Sequence, residues 1–138
     1  MADDLGKLLQ EAGESWQSRL RSELSDQIPS AALGAGAAVL ACLDPAAAIS
    51  QTALTAQLSL SKQAVQQLLD QLEAQGLVRR EPDPRDRRAK QIILTAPGAA
   101  AAARRASAAA GLDERLRETL GRKRFKALRK ALRELAGG

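Results

Sequence analysis

The chain has 138 residues, a net charge of +5 and no histidine; that length supports one modest core, and the missing imidazole removes the commonest general base and transition-metal ligand. Its apolar residues are mostly Ala and Leu, with Trp16 and Phe125 the only aromatics, which points to a mainly helical protein. A single cysteine, Cys42, cannot close an intrachain disulfide, and the longest apolar run, Ala31 to Leu43, is too short to cross a bilayer, so a cytoplasmic protein without membrane span or leader is expected.

Asp3 to about Ile28 reads as a long helix, with Leu5, Leu8, Leu9, Ala12, Trp16, Leu20 and Leu24 three or four residues apart on one stripe. Asp3 or Asp4 is placed to cap it and Pro29 to stop it. Ser30 can cap a second helix from about Ala31 to Leu43, apolar nearly all round and therefore expected to be buried. Asp44-Pro45 ends it, and Ala46 to Ile49 reads as extended, at most a one-bridge edge strand. Ser50 can cap a third helix to about Gln57, with Leu54 and Leu58 inward. After a turn at Leu58-Ser59-Leu60, Ser61 caps a fourth helix to Gln75, where Val65, Leu68, Leu69 and Leu72 share the core face and Gly76 suits a left-handed end. Leu77 to Arg80 and Gln91 to Leu94 pattern as two short antiparallel strands; Pro82 and Pro84 between them predict an extended, exposed loop rather than a tight hairpin. Thr95 caps a fifth helix with Pro97 in its first turn, rich in alanines that let another helix come close. Gly111 and Gly121 are expected to kink or break it. A last helix, Arg122 to Ala136, carries Phe125, Leu128, Leu132 and Leu135 as a narrow seam.

Charge is graded along the chain. Residues 1–78 carry four Lys/Arg against nine Asp/Glu, residues 79–90 six against three, and residues 91–138 eleven against four. A basic loop and tail on one small domain suit a polyanionic partner, or equally a solvated face. The third and fourth helices, locked by Leu54, Leu58, Leu60, Val65 and Leu68, form a helix pair whose second member turns Ser61, Lys62, Gln63, Gln66 and Gln67 outward. Glutamine can meet adenine N6 and N7 with both amide atoms, and a helix N-terminus favours phosphate; plain solvation of an amphipathic helix fits those glutamines as well. The loop shifts the balance. Arg85, Arg87 and Arg88, with Arg80 and Lys90 beside them, suit a phosphate backbone or a narrow minor groove. Arg85 is expected near the tip, with Asp86 pairing with Arg88 to fix the loop's shape.

These residues carry a resemblance to a known family. Leu58-Ser-Leu-Ser-Lys-Gln-Ala-Val65, Leu72 through Lys90 with its Asp86-Arg87-Arg88 wing signature, and Leu94-Thr-Ala-Pro-Gly98 are similar to the MarR-type winged-helix transcription regulators over nearly the whole length. The resemblance implies a mainly α fold with a small β-hairpin wing, a winged helix-turn-helix dimerised through its N- and C-terminal helices, reading a pseudo-palindromic site on double-stranded DNA. Thr55 and Ser59 depart from the small Ala and the Gly usual at those places. Residues 1–29 are then a dimerisation helix, residues 30–98 the reading region and residues 99–138 further dimerisation helices, within one compact domain. Such regulators are commonly repressors released by a small lipophilic or phenolic ligand, or by an oxidant.

Homodimerisation also follows from the residues: the stripe of Leu5, Leu9, Trp16 and Leu20, the alanine-rich helix, and the seam of Leu120, Phe125, Leu128, Leu132 and Leu135 exceed what one small chain can bury. The acidic first helix and the basic last helix, with Lys123 and Lys126, are expected to lie close. Cys42 is either a redox sensor or a small hydrophobe in an apolar helix. No catalytic constellation, metal-ligand spacing or cofactor motif is present in the sequence; Gly34-Ala35-Gly36 lacks the third glycine and preceding strand of a nucleotide fingerprint. An enzyme is not expected. The competing reading is a winged-helix adaptor or antirepressor that binds protein and has no DNA target of its own.

Overall fold

A computed structural model describes residues 4–137. Helix α1 (Leu5–Leu24) starts where Asp4 accepts a hydrogen bond from the Lys7 N–H at 2.8 Å. It ends four residues short of the expected Ile28, because the chain turns before Pro29 instead of at it. The expected second helix is divided. A 3₁₀ turn (Ser30–Ala32) is followed by Gly34 at φ 60°, and only then by α2 (Ala35–Ala41). Gly36 explains the break: a side chain there would overlap the Ala31 carbonyl, so the helix can close onto the preceding turn only with glycine. That backbone contact, rather than a nucleotide site, accounts for the Gly-Ala-Gly run.

Strand β1 (Ile49–Ser50) leads into α3 (Gln51–Leu58) and α4 (Lys62–Ala74), capped by Ser50 and Ser61 through hydrogen bonds from Ala53 N–H at 3.1 Å and Ala64 N–H at 3.0 Å. Between the two helices Ser59 takes φ 53°, ψ 33°, a left-handed residue in the place where glycine is the low-cost choice. Gly76, also left-handed at φ 75°, turns α4 into β2 (Val78–Asp83). Strand β3 (Asp86–Leu94) returns antiparallel and pairs on its other edge with β1, giving the order β1-β3-β2.

The wing differs from the expected loose loop. Pairing continues out to Asp83 and Asp86, which leaves a two-residue turn at Pro84-Arg85. Pro82 is tolerated because β2 is an edge strand with a register shift after it, and Pro84 presets the turn's φ. Helix α5 (Ala96–Leu120) is capped by Thr95, whose Oγ1 accepts from Gly98 N–H at 3.1 Å, and it runs unbroken through Gly111. Gly121, at φ 84°, separates it from α6 (Arg122–Gly137).

The chain divides into two compact units, the first ending at Arg105 and the second starting at Ala106. In the first, Leu20, Leu24, Val39, Leu40, Leu54, Val65, Leu69, Leu72, Leu77 and Ile92 are almost fully buried, and α2 packs on α3 and α4. Leu20, expected at a dimer surface, therefore belongs to the core of its own chain. In the second, α6 buries no residue, and Leu128, Leu132 and Leu135 lie exposed. No helix among the described residues is long and apolar enough to cross a membrane.

Two backbone features set stability in opposite directions. Ser59→Gly should stabilise the fold by about 0.5–1 kcal/mol by relieving the left-handed strain. Gly98→Ala should cost about 1–3 kcal/mol, because the added methyl overlaps the Leu77 carbonyl oxygen. Urea denaturation of the two variants checks both signs.

Candidate nucleic-acid interface

Helix α4 presents Lys62, Gln63, Gln66 and Gln67 as exposed residues, while Val65, Leu69 and Leu72 seat its other face in the core. The three-and-four spacing of those apolar positions fixes which residues remain outside. Ser61 is exposed too, but its oxygen already accepts the Ala64 N–H, so it shapes the start of the helix. A groove of about 870 Å³ runs between α3, α4 and β3, lined by Gln51, Thr52, Thr55, Ala56, Lys62, Gln66, Glu73, Arg80, Arg88, Ala89 and Lys90. It brings together Lys62, Gln66, Arg80, Arg88 and Lys90 of the residues singled out from the sequence; Ser61, Gln63, Gln67, Arg85 and Arg87 lie outside its lining.

At the wing tip, Arg85, Arg87 and Arg88 are all exposed. The loop's carboxylates are used differently from expectation. Asp83 accepts from the Arg85 backbone N–H at 2.9 Å, and Asp86 accepts from the Arg88 backbone N–H at 3.0 Å. Asp86 thus shapes the turn through the main chain of Arg88 rather than through its guanidinium. Both acids stiffen the hairpin as side-chain turns and leave the arginine head groups outward.

Arg80 departs further from expectation. Sequence placed it among the cations offered to a partner, yet its side chain is only 17% exposed and its Nη2 meets Asp70 at 2.5 Å and Glu73 at 2.9 Å, both on α4. Glu73 also accepts the Arg80 backbone N–H at 3.1 Å. The guanidinium hydrogen bond holds the Glu73 carboxyl below the ordinary glutamate range, and the same bond raises the Arg80 pKa. Arg80 is therefore a strut between the wing and α4.

Two further residues escaped the sequence reading. The Gln51 amide donates to Gln66 Oε1 at 3.3 Å across the helix pair. Gln75 accepts from the Ala31 N–H at 2.7 Å and donates to the Ser30 hydroxyl oxygen at 3.0 Å, tying the end of α4 to the 3₁₀ turn. Neither has a periodic or motif signal; Gln51 opens α3 and Gln75 caps the end of α4, and only the tertiary geometry gives each these partners. Cys42 is a free, half-buried thiol at the end of α2, not the fully enclosed residue expected of an all-apolar helix. No group of three or more Cys, Asp or Glu side chains among the described residues could hold a metal ion.

The Arg80 strut has a pH signature. A carboxylate whose folded pKa is depressed stabilises above its unfolded pKa and loses that contribution as pH falls through its folded value. Arg80→Ala should cost about 1 kcal/mol near neutrality, given the partial exposure of both acids. That difference from wild type should vanish on acidification through and below the glutamate range, as read by urea titrations at stepped pH.

The sequence and fold have clear relatives. A model of the MarR family matches residues 37–89, the helix pair and most of the wing. No curated protein matches the sequence. Among solved structures, the transcriptional repressor CouR bound to a 23-mer DNA duplex is 30% identical, with a TM-score of 0.82 over 96% of this chain and 92% of that one. A cysteine-to-serine mutant of MarR from E. coli, complexed with operator DNA, is 28% identical with a TM-score of 0.77, covering 95% and 92% of the two chains. BpsR of Bordetella bronchiseptica, whose DNA binding is regulated by 6-hydroxynicotinic acid, shares the fold at 21% identity and a TM-score of 0.78, over 99% and 95%. With a CouR-like sequence and fold along almost its full length, this winged helix-turn-helix chain belongs to the MarR family.

Proposed function

We propose that the chain is a sequence-specific, double-stranded-DNA-binding regulator of transcription, a cytoplasmic repressor that acts as a homodimer on a pseudo-palindromic operator and has no enzymatic activity of its own. One juxtaposition carries this reading. An exposed helix bearing Lys62, Gln63, Gln66 and Gln67 stands beside a stiff hairpin bearing Arg85, Arg87, Arg88 and Lys90, and an ion cluster ties the two together. A helix of that width fits the major groove, with glutamine amides for base edges, and exposed wing arginines suit phosphates or the adjacent minor groove. CouR and E. coli MarR, solved on DNA duplexes, are the relatives that support it.

Residues 30–98 are assigned the reading role, and residues 1–29 with 99–138 the dimerising role. Leu5 and Leu135 are each 62% exposed in a single chain, and Leu9, Leu128 and Leu132 are exposed with them. Apolar stripes of that extent on a small soluble fold mark an interface, which half-buried Trp16, Leu120 and Phe125 would extend. Release from DNA is assigned to a small lipophilic or phenolic effector, or to oxidation at Cys42.

Retention of duplex probes at stepped salt tests the reading. A dimer neutralising about 6–10 phosphates should lose roughly 10³–10⁵ in affinity between about 50 and 200 mM salt. Arg85→Ala should weaken binding to every sequence, whereas Gln63→Ala should cost about 1–3 kcal/mol only at particular base pairs. Flat salt dependence, or capture of a protein partner with no duplex retained, would point instead to an adaptor. Leu132→Asp should yield a monomer by sedimentation with much weaker operator binding; an unchanged dimer would remove α6 from the interface.

A further inference from the structure

We infer that Gln75 is a positioning residue that sets how far apart the two reading helices of a dimer stand, and so which half-site spacing is bound; the inference rests on the reading of α4 as the major-groove element of a homodimer. Pro29 precedes the 3₁₀ turn and gives it no side-chain cap, which leaves the first N–H groups of that turn in need of an acceptor. Gln75 supplies one from 44 residues away: its Oε1 accepts the Ala31 N–H at 2.7 Å, and its Nε2 donates to the Ser30 hydroxyl oxygen at 3.0 Å. The order of this amide is settled, because a backbone N–H can only donate and must face the oxygen. At the next residue, the Gly76 carbonyl accepts at 2.6 Å from the hydroxyl of Thr95, which also caps α5. Two neighbouring residues therefore hold the end of α4 to the turn that follows α1 and to the cap that starts α5. Those are the two arms assigned to dimerisation.

The reading residues lie at the far end of the same helix. From Gln75 to Gln63, about 12 residues at about 1.5 Å each make an arm of roughly 18 Å. A tilt of about 10° at the corner moves Gln63 by roughly 3 Å, close to the rise of about 3.4 Å of one base pair. A two-fold axis repeats the tilt in the second copy, so the separation of the two helices changes by up to twice as much. Val65, Leu69 and Leu72 seat α4 in the core, but apolar burial has no direction, whereas a hydrogen bond has one. Ser61 caps α4 from within its own chain segment, and Arg80 ties the wing to the helix and travels with it. The Gly76 tie uses a carbonyl that any residue would provide. The side chain that holds the angle is that of Gln75.

The test begins with sites selected from randomised duplex by the wild type, which give the half-site and its natural spacing. Affinities are then measured for that site with base pairs added or removed between the halves. One added pair shifts a half-site by about 3.4 Å and turns it by about 35°, and the wild type should lose on the order of 10-fold or more. Gln75→Leu keeps the bulk and removes both hydrogen bonds; it should reduce that penalty about threefold or more, with affinity for a duplex bearing one half-site unchanged. Gln75→Glu should restore the wild-type profile, because its carboxylate accepts from the Ala31 N–H and from the Ser30 hydroxyl turned round as donor. Ser30→Ala removes one bond of the two and should give an intermediate profile, and it carries the same test should Gln75→Leu not fold. A spacing penalty as steep as wild type in the variants that lose these bonds overturns the inference, even where the melting temperature falls. So does a flattened profile that Gln75→Glu shares. A wild type that selects no paired half-sites removes the dimeric DNA reading itself, and the inference with it.

Discussion

Arg80 leaves the edge strand of the wing and meets two carboxylates on α4, so an ion cluster, and not apolar packing alone, sets the wing against the helix. The need for it follows from the hairpin's own composition. Val78, Ile92 and Leu94 anchor the base of the ribbon in the core, but every residue from Pro84 to Arg88 is exposed. A two-stranded ribbon without a buried face is marginal in water. Asp70, Glu73 and the Arg80 backbone N–H supply three charge-assisted contacts just where the core stops. Helix and wing are thereby tied into one body with two prongs.

The same cluster explains how acids can sit within a basic surface without cancelling it. Asp70 and Glu73 face Arg80 and are taken up by it. On the wing, Asp83 and Asp86 spend their oxygens on backbone N–H groups. The acids serve shape, and the guanidinium groups of Arg85, Arg87 and Arg88, with Lys62 and Lys90, are left to set the sign of the field. A polyanion approaching this face meets cations already held apart by the hairpin, with little ordering cost at the moment of contact.

Helix positions were legible in the sequence wherever local chemistry decided them. Ser50, Ser61 and Thr95 cap the helices they were expected to cap, and the apolar spacing of Val65, Leu69 and Leu72 identified the outward face of α4. Three features were not legible because contacts outside the apolar periodicity decided them. Gly36 divides a uniformly apolar run by closing on Ala31, which hydrophobicity alone cannot reveal. The two prolines of the wing argued for an open loop, but edge-strand placement and side-chain turns at Asp83 and Asp86 override that preference. Leu20 lies on the same stripe as Leu5 and Leu9, and no local property tells where along that stripe the chain's own core begins. The site divided in the same way: the exposed glutamines and arginines were visible as residue types, whereas the partners of Arg80 and Gln66 come from elements 7 to 15 residues away.

Dimethyl sulfate footprinting of a selected duplex reads both prongs at once, since it probes N7 in the major groove and adenine N3 in the minor groove. If one strut joins helix and wing, the wild type should protect N7 positions with N3 positions at a fixed offset, and Arg80→Ala should keep the first protection while losing the second. Both protections surviving Arg80→Ala undiminished would contradict the account, because the wing would then hold its place without the ion cluster.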